Sequence, residues 1–188
     1  MTDTATRILY ISQELIQKRG YMAMSFQDIA VQVGIKKPSV IHHFPTKAHL
    51  GVAVIKRYRD SFAGQLEAIT NDPDKTAWDA LNFYFSPCLY FAQTSDKVCL
   101  CGALAGEIPT LPEEMRTEVK QFMEDHQRWL EGVLRDGRKN GELNFDDTPV
   151  RLSRVLFNTL QGATLVKRST NDLGQLKDVI KVIKRMVR

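Results

Sequence analysis

Apolar positions recur at helical spacing from one end of the chain to the other, and no stretch alternates with the period of two that a half-buried strand requires. Ile8, Leu9, Ser12, Leu15 and Ile16 share one face, and Gly20 after Lys18 and Arg19 predicts the stop. Ser25 stands three residues before Asp28 and just ahead of Ile29, Ala30 and Val33, which predicts a capping-box start to a second helix ending at Gly34. Pro38 suits the first turn of a third, short helix through Phe44, which Pro45 stops. A fourth helix opens at Thr46-Lys47, carries Leu50, Val54, Tyr58 and Phe62 towards Ile69, and breaks at Asn71-Asp-Pro-Asp74.

Beyond that break, Trp78–Phe91 holds six of the sixteen aromatic residues, with Pro87 expected to kink or interrupt it. Residues 98–106 are small and apolar, and Gly102-x-x-x-Gly106 predicts close helix packing. A long amphipathic helix follows from Pro112, with Met115, Val119, Phe122, Met123, His126, Leu130, Val133 and Leu134 on one face, until Gly141. Two last helices are expected over about 149–168 and 173–187. The chain is therefore expected to be all-α.

Composition narrows the class. With 43% apolar and 26% charged residues among 188, the chain has globular averages. No apolar run approaches a membrane span, and Met1–Arg7 has no signal-peptide core, so a cytoplasmic protein without membrane association is expected. Three cysteines are too few for a disulfide scaffold and fit a reducing compartment. No phosphate loop, G-x-S-x-G or H-E-x-x-H motif is present, and Glu113-Glu114 and Asp146-Asp147 need only be helix-start acids, so neither an enzyme nor a bound cofactor is expected.

Charge sharpens the picture more. Residues 1–60 hold nine Lys/Arg against four Asp/Glu, a net of +5 within a total of +4, and three of the four histidines lie there too. A basic head on a near-neutral body is the footprint of a unit meeting a polyanion. Two short helices joined by a glycine turn form a helix-turn-helix, whose second helix enters the major groove. Its N-terminal side offers Lys36, Lys37, Pro38, Ser39 and Val40, with His42 and His43 a turn later. Lysines reach phosphates or guanine acceptors, Ser39 bonds to either, and Val40 is a candidate to pack on a thymine methyl.

Ser25-Phe-Gln-Asp-Ile-Ala30, Val33-Gly-Ile-Lys-Lys-Pro-Ser39 and His42-His-Phe-Pro-Thr-Lys47 together resemble the DNA-binding domain of the TetR family of bacterial repressors. The resemblance covers roughly residues 5–55. It implies a three-helix head (1–46) and an all-helical, ligand-sensing and dimerising body (47–188), linked by the helix at about 47–69. It places Ser25, Lys37, Ser39, His43 and Lys47 at positions that usually touch DNA, with Gln27 beside Ser25 in the same motif. Ile41 stands where the family commonly has tyrosine, and Pro38 replaces a usual small residue. The implied partners are double-stranded DNA with a palindromic operator, a second copy of the chain and a small-molecule effector.

The last two helices carry more apolar surface than a terminal pair needs. Leu152, Val155, Leu156, Leu160, Leu176, Val179, Ile180 and Ile183 are therefore candidates for a symmetric dimer interface, or else close the protomer's own core. Lys177, Lys181, Lys184, Arg185 and Arg188 read as the solvated face of the final helix. For the effector, an apolar or aromatic molecule suits a body with few polar groups. Candidate lining residues are Trp78, Phe85, Cys88, Cys99, Cys101, Leu104, Phe122, His126, Trp129 and Gln161. Cys99-Leu-Cys101, with Cys88 upstream and Lys97 nearby, is either a thiol sensor or a packing segment in which cysteine acts as a small hydrophobe. A metal site from Cys99, Cys101, Glu107 and His126 lacks the usual zinc spacing, so none is expected. The competing functional reading is a small-molecule-binding or thiol-reactive protein, even an enzyme, whose basic head serves a partner other than DNA.

Overall fold

The computed structural model describes residues 3–93 and 96–188, which form nine α-helices, one 3-10 turn and no strand. In chain order they are α1 (Thr4–Arg19), α2 (Phe26–Val33), α3 (Lys37–His43), α4 (Lys47–Asn71), α5 (Ala77–Gln93), α6 (Leu100–Ala105), the 3-10 turn (Ile108–Thr110), α7 (Glu113–Lys139), α8 (Pro149–Thr170) and α9 (Leu173–Met186). The all-α expectation holds. Packing divides the chain into two units, one of residues up to Asp60 with Leu100–Phe122, the other of Ser61–Cys99 with Met123–Arg188.

In the first unit α2 packs against α1 and α3, and α6 packs against α1. Ile8, Ile16, Ile29, Val40 and Leu50 are fully buried together with Leu100, Cys101 and Leu104. The helix ends follow the sequence signals. Ser25 and Asp28 form a reciprocal capping box, the Ser25 hydroxyl accepting from the Asp28 amide at 3.2 Å and the Asp28 carboxylate accepting from the Ser25 amide at 2.9 Å. Gly34 closes α2 in the left-handed region at φ 76°, and the Arg7 guanidinium caps the Val33 carbonyl at 2.7 Å. The first half of α4 is fastened to α7 through Glu118, which pairs with Arg59 at 2.6 Å and Lys56 at 3.4 Å, and through Tyr58 stacked on Phe122.

Of Gly102-x-x-x-Gly106, Gly102 is buried in α6, while a Cβ on exposed Gly106 would meet only the Ala103 carbonyl at 3.7 Å. Close approach occurs at Gly51 against Met115 and at Gly20 against the Glu107 carboxylate. Gly20 has φ 88° and ψ 166°, a region open essentially to glycine alone, while Glu107 accepts the Met22 amide at 3.0 Å. Gly20→Ala is therefore expected to lower stability by about 1–3 kcal/mol in a chemical-denaturation series. A change below a few tenths would show that the turn relaxes freely.

In the second unit α8 and α9 pack together, and α5 packs against both. Pro87 lies within α5 without ending it. Its missing N–H leaves the Phe83 carbonyl without the usual i+4 donor, and the Ser86 hydroxyl donates to that carbonyl at 2.7 Å. Glu142 anchors the start of α5, its carboxylate accepting from the Ala77 amide and its carbonyl accepting from the Trp78 indole at 2.9 Å. Thr148 caps α8 and Asn171 ends it in the left-handed region at φ 55°.

The dimer-interface assignment needs correction. Leu152, Leu156, Leu160, Leu176, Ile180 and Ile183 are buried within the protomer, at most 7% exposed, and form its own core. Of the eight residues, Val155 is well exposed at 45% and Val179 partly so. The exposed large apolar residues are Val150, Val155, Leu165 and Val166 on α8, and Val182 and Met186 on α9. Val155, Val179, Val182 and Met186 line a cleft of about 240 Å³ between the two helices.

Candidate DNA-reading face and effector site

Seven residues at α3 and its entry stand out of the surface: Lys36, Lys37, Pro38, Ser39, Ile41, His42 and His43. Lys36 is the N-cap, Pro38 fills the first turn, and both lysines are exposed at the N-terminal end of α3. Val40 is not on this face. It is 0% exposed and packs inward, so it cannot reach a thymine methyl; Ile41, 40% exposed, is the apolar side chain available for that contact. Sequence periodicity over a seven-residue helix leaves that choice open by one position.

Two flanking candidates have prior commitments. The Ser25 hydroxyl accepts the Asp28 amide and donates to the Asp28 carboxylate at 2.7 Å, so it acts first as the α2 cap. Those hydrogen bonds hold the Asp28 carboxyl below the usual carboxylate range. Lys47 donates to the Met22 carbonyl at 3.2 Å and sits 4.4 Å from the Tyr21 ring centroid, with burial lowering its pKa. Gln27 is exposed beside them.

The second unit contains a neutral aromatic cluster centred on His126. This side chain is 5% exposed, its Nδ1 lies 2.9 Å from the Tyr84 hydroxyl, and the Phe62 and Phe157 rings lie 5.4 and 6.0 Å away. Tyr84 stacks on Trp129 at 5.3 Å, and the Trp129 indole donates to the Leu66 carbonyl at 3.2 Å. Burial drives His126 down to about 4, against a weaker opposing pull from Asp125, and raises Tyr84 well above its ordinary value. Both are therefore uncharged near neutral pH. On α8, Gln161 lies one turn beyond Phe157, and its buried Oε1 has no hydrogen-bond partner among the described residues. A buried acceptor left alone costs about 1–3 kcal/mol, which makes it a place for a donor to bind.

The thiol reading changes at Cys88. Burial, with Cys99 beside it, pushes the Cys88 thiol up to about 12, the opposite of activation by Lys97. Cys101, Leu104 and Phe122 are buried residues of the first unit. Trp78 and Phe85 face α9, where the Lys184 ammonium lies 5.8 Å from the Phe85 ring centroid. Glu107 accepts the Met22 amide at 3.0 Å, and among the described residues no group of three His, Cys, Asp or Glu side chains could hold a metal ion.

Residues 8–54 match the family model described as bacterial regulatory proteins, tetR family, and residues 88–183 match the tetracyclin repressor-like C-terminal domain. The chain belongs to the TetR family. A TetR transcriptional regulator from Legionella pneumophila, known as a crystal structure, is 33% identical over 100% of this chain and 99% of that one, with a TM-score of 0.90. The transcriptional repressor NemR of Escherichia coli K12 is 24% identical over 98% of this chain and 94% of its own. The repressor DhaR of Mycobacterium sp. strain GP1 is 25% identical over 90% of each. This TetR-family chain is thus a DNA-binding transcriptional regulator with a helix-turn-helix head.

Within that frame the sequence reading missed Phe62, Tyr84 and Phe157. Each has a signal in hindsight: Tyr84 lies in the aromatic run, Phe157 is four residues before Gln161, and Phe62 is on the linking helix. No helix among the described residues is long and apolar enough to cross a membrane.

Proposed function

We propose that the protein is a cytoplasmic homodimeric repressor that leaves its operator when a small, uncharged, aromatic or apolar effector enters the His126 cluster. A head of residues 1–46 reads DNA and a body of 47–188 senses and dimerises. The observation that carries this reading is the exposed α3 face, where Lys36, Lys37, Ser39, Ile41, His42 and His43 stand together on the most basic part of the chain. Two such faces, joined through the exposed α8–α9 stripe, meet half-sites one helical turn apart. The effector class follows from the cluster: Tyr84 and His126 are uncharged, the walls are aromatic, and Gln161 Oε1 asks for one hydrogen-bond donor. A charged ligand would be desolvated there without a counter-ion.

The helix α4 is the proposed transmitter. Phe62 and Leu66, in its second half, touch His126 and Trp129, while Arg59 and Lys56, in its first half, bind Glu118. An effector that displaces Phe62 moves one continuous helix. By linkage, an effector that loosens DNA tenfold binds the DNA-bound form tenfold more weakly, about 1.4 kcal/mol of coupling.

The decisive experiment is a gel shift with the gene's own upstream DNA. A specific complex is expected; its absence at every effector state would leave the small-molecule-binding alternative in possession. Lys36→Ala with Lys37→Ala is expected to weaken the complex and reduce the slope of log affinity against log salt by up to about 0.9 for each lysine on a phosphate. An unchanged slope would remove both from the phosphate contacts.

A further inference from the structure

A groove of about 770 Å³ runs between α5 and α9 in the second unit, apart from the His126 cluster and the cleft between α8 and α9. Its α9 wall is cationic: Lys177, Lys181, Lys184, Arg185 and Arg188 fall at i, i+4, i+7, i+8 and i+11, on one helical face. Its α5 wall holds Trp78 and Asn82, one turn apart. No acidic side chain lines it. The nearby carboxylates are already engaged, Glu142 by the Ala77 amide and Asp79 by Thr76 at the α5 start, and Asp178 lies in the cleft on the α8 side of α9.

A merely solvated helix face has no need of this arrangement. Five cations gathered on one groove without a carboxylate repel one another, and an anion in the groove relieves that repulsion. The Trp78 ring is also held in place, since its indole N–H donates to the Glu142 carbonyl at 2.9 Å. A fixed aromatic wall with a carboxamide one turn away suits a flat heterocycle with hydrogen-bonding edges, which the amide can pair with as donor and acceptor. A bounded groove of this size lies in the range of small-ligand sites, about 300–1,000 Å³, and takes one nucleotide rather than a duplex.

We propose that this groove binds a nucleoside polyphosphate, its phosphates on the α9 cations and its base between Trp78 and Asn82. Such a site stands independently of the effector cluster. It would let the regulator answer to a nucleotide as well as to its apolar effector.

Isothermal titration of the full-length protein with ATP, inorganic tripolyphosphate and adenosine tests this. ATP is expected to bind at least tenfold more tightly than tripolyphosphate, with affinity falling as salt rises. Lys181→Gln with Lys184→Gln is expected to weaken ATP at least tenfold, with the thermal melt and operator affinity unchanged. Trp78→Leu is expected to bring ATP and tripolyphosphate within about threefold of each other, because the lost stacking of one base is worth about fivefold or more. Lys36→Ala with Lys37→Ala, which alters only the DNA face, is expected to leave ATP binding intact. The proposal is overturned if wild-type protein binds ATP and tripolyphosphate equally, or if the double glutamine variant keeps its ATP affinity. It is equally overturned if operator-free duplex displaces ATP from the Lys36→Ala/Lys37→Ala variant, since the groove would then be a nucleic-acid surface.

Discussion

Val155→Glu combined with Val182→Glu is expected to turn the protein into a monomer and to cost about 10²–10⁴ in operator affinity. Both valines are 45% exposed in the protomer, on adjacent faces of α8 and α9, so glutamate there meets water in the monomer and leaves the core intact. In a two-fold dimer the same patch meets itself, which buries four new carboxylates without partners and sets like charges against each other. The DNA effect follows because the second head's encounter with its half-site is intramolecular only while the two protomers are joined. Sedimentation equilibrium and an operator titration read the two effects separately. Leu156→Glu, by contrast, places a charge at a position with 0% exposure and is expected to unfold the protomer. A glutamate double variant that stayed dimeric with full operator affinity would move the interface away from α8 and α9.

The same residues show how much was legible beforehand. Helix positions were open to reading because caps are local chemistry: Ser25 with Asp28, Pro38, Thr148 with Pro149, and the glycines at 20 and 34 mark their own ends. What periodicity left unsettled was which of two adjacent apolar stripes faces inward. On α8, Leu152, Leu156 and Leu160 serve the protomer while Val155 and Val166 remain outside, although all five satisfy helical spacing. At α3 the same one-position ambiguity exchanged Val40 for Ile41. Long-range partners had no local signature. Glu107 against Gly20 and Met22 joins residues more than eighty positions apart, and nothing near either one announces the contact. At Cys88 the deciding influence is not a sequence neighbour: Lys97 is nine residues away along the chain, but the sign of the Cys88 shift is set by burial.

Acid is expected to destabilise the fold through His126, and the sign can be worked from its environment. Its ordinary pKa is about 6.5 in the unfolded chain, and burial depresses it to about 4 in the native state. Above pH 6.5 both states hold the ring neutral, and the native packing with Phe62, Tyr84 and Phe157 is fully retained. As pH falls from 6.5 towards 4, the unfolded chain takes up a proton that the folded site refuses. Stability is lost at about 1.4 kcal/mol per pH unit, roughly 3 kcal/mol in all by pH 4. His126→Asn keeps an acceptor for the Tyr84 hydroxyl but does not titrate. Wild type is expected to exceed this variant in stability by a margin that shrinks by about 2 kcal/mol between pH 7 and pH 5. The other titratable groups are common to both proteins and cancel in the difference. Denaturant titrations of the pair at the two pH values measure the margin. A margin independent of pH would mean that His126 is accessible to protons in the folded state, and the uncharged character of the effector site would fall with it.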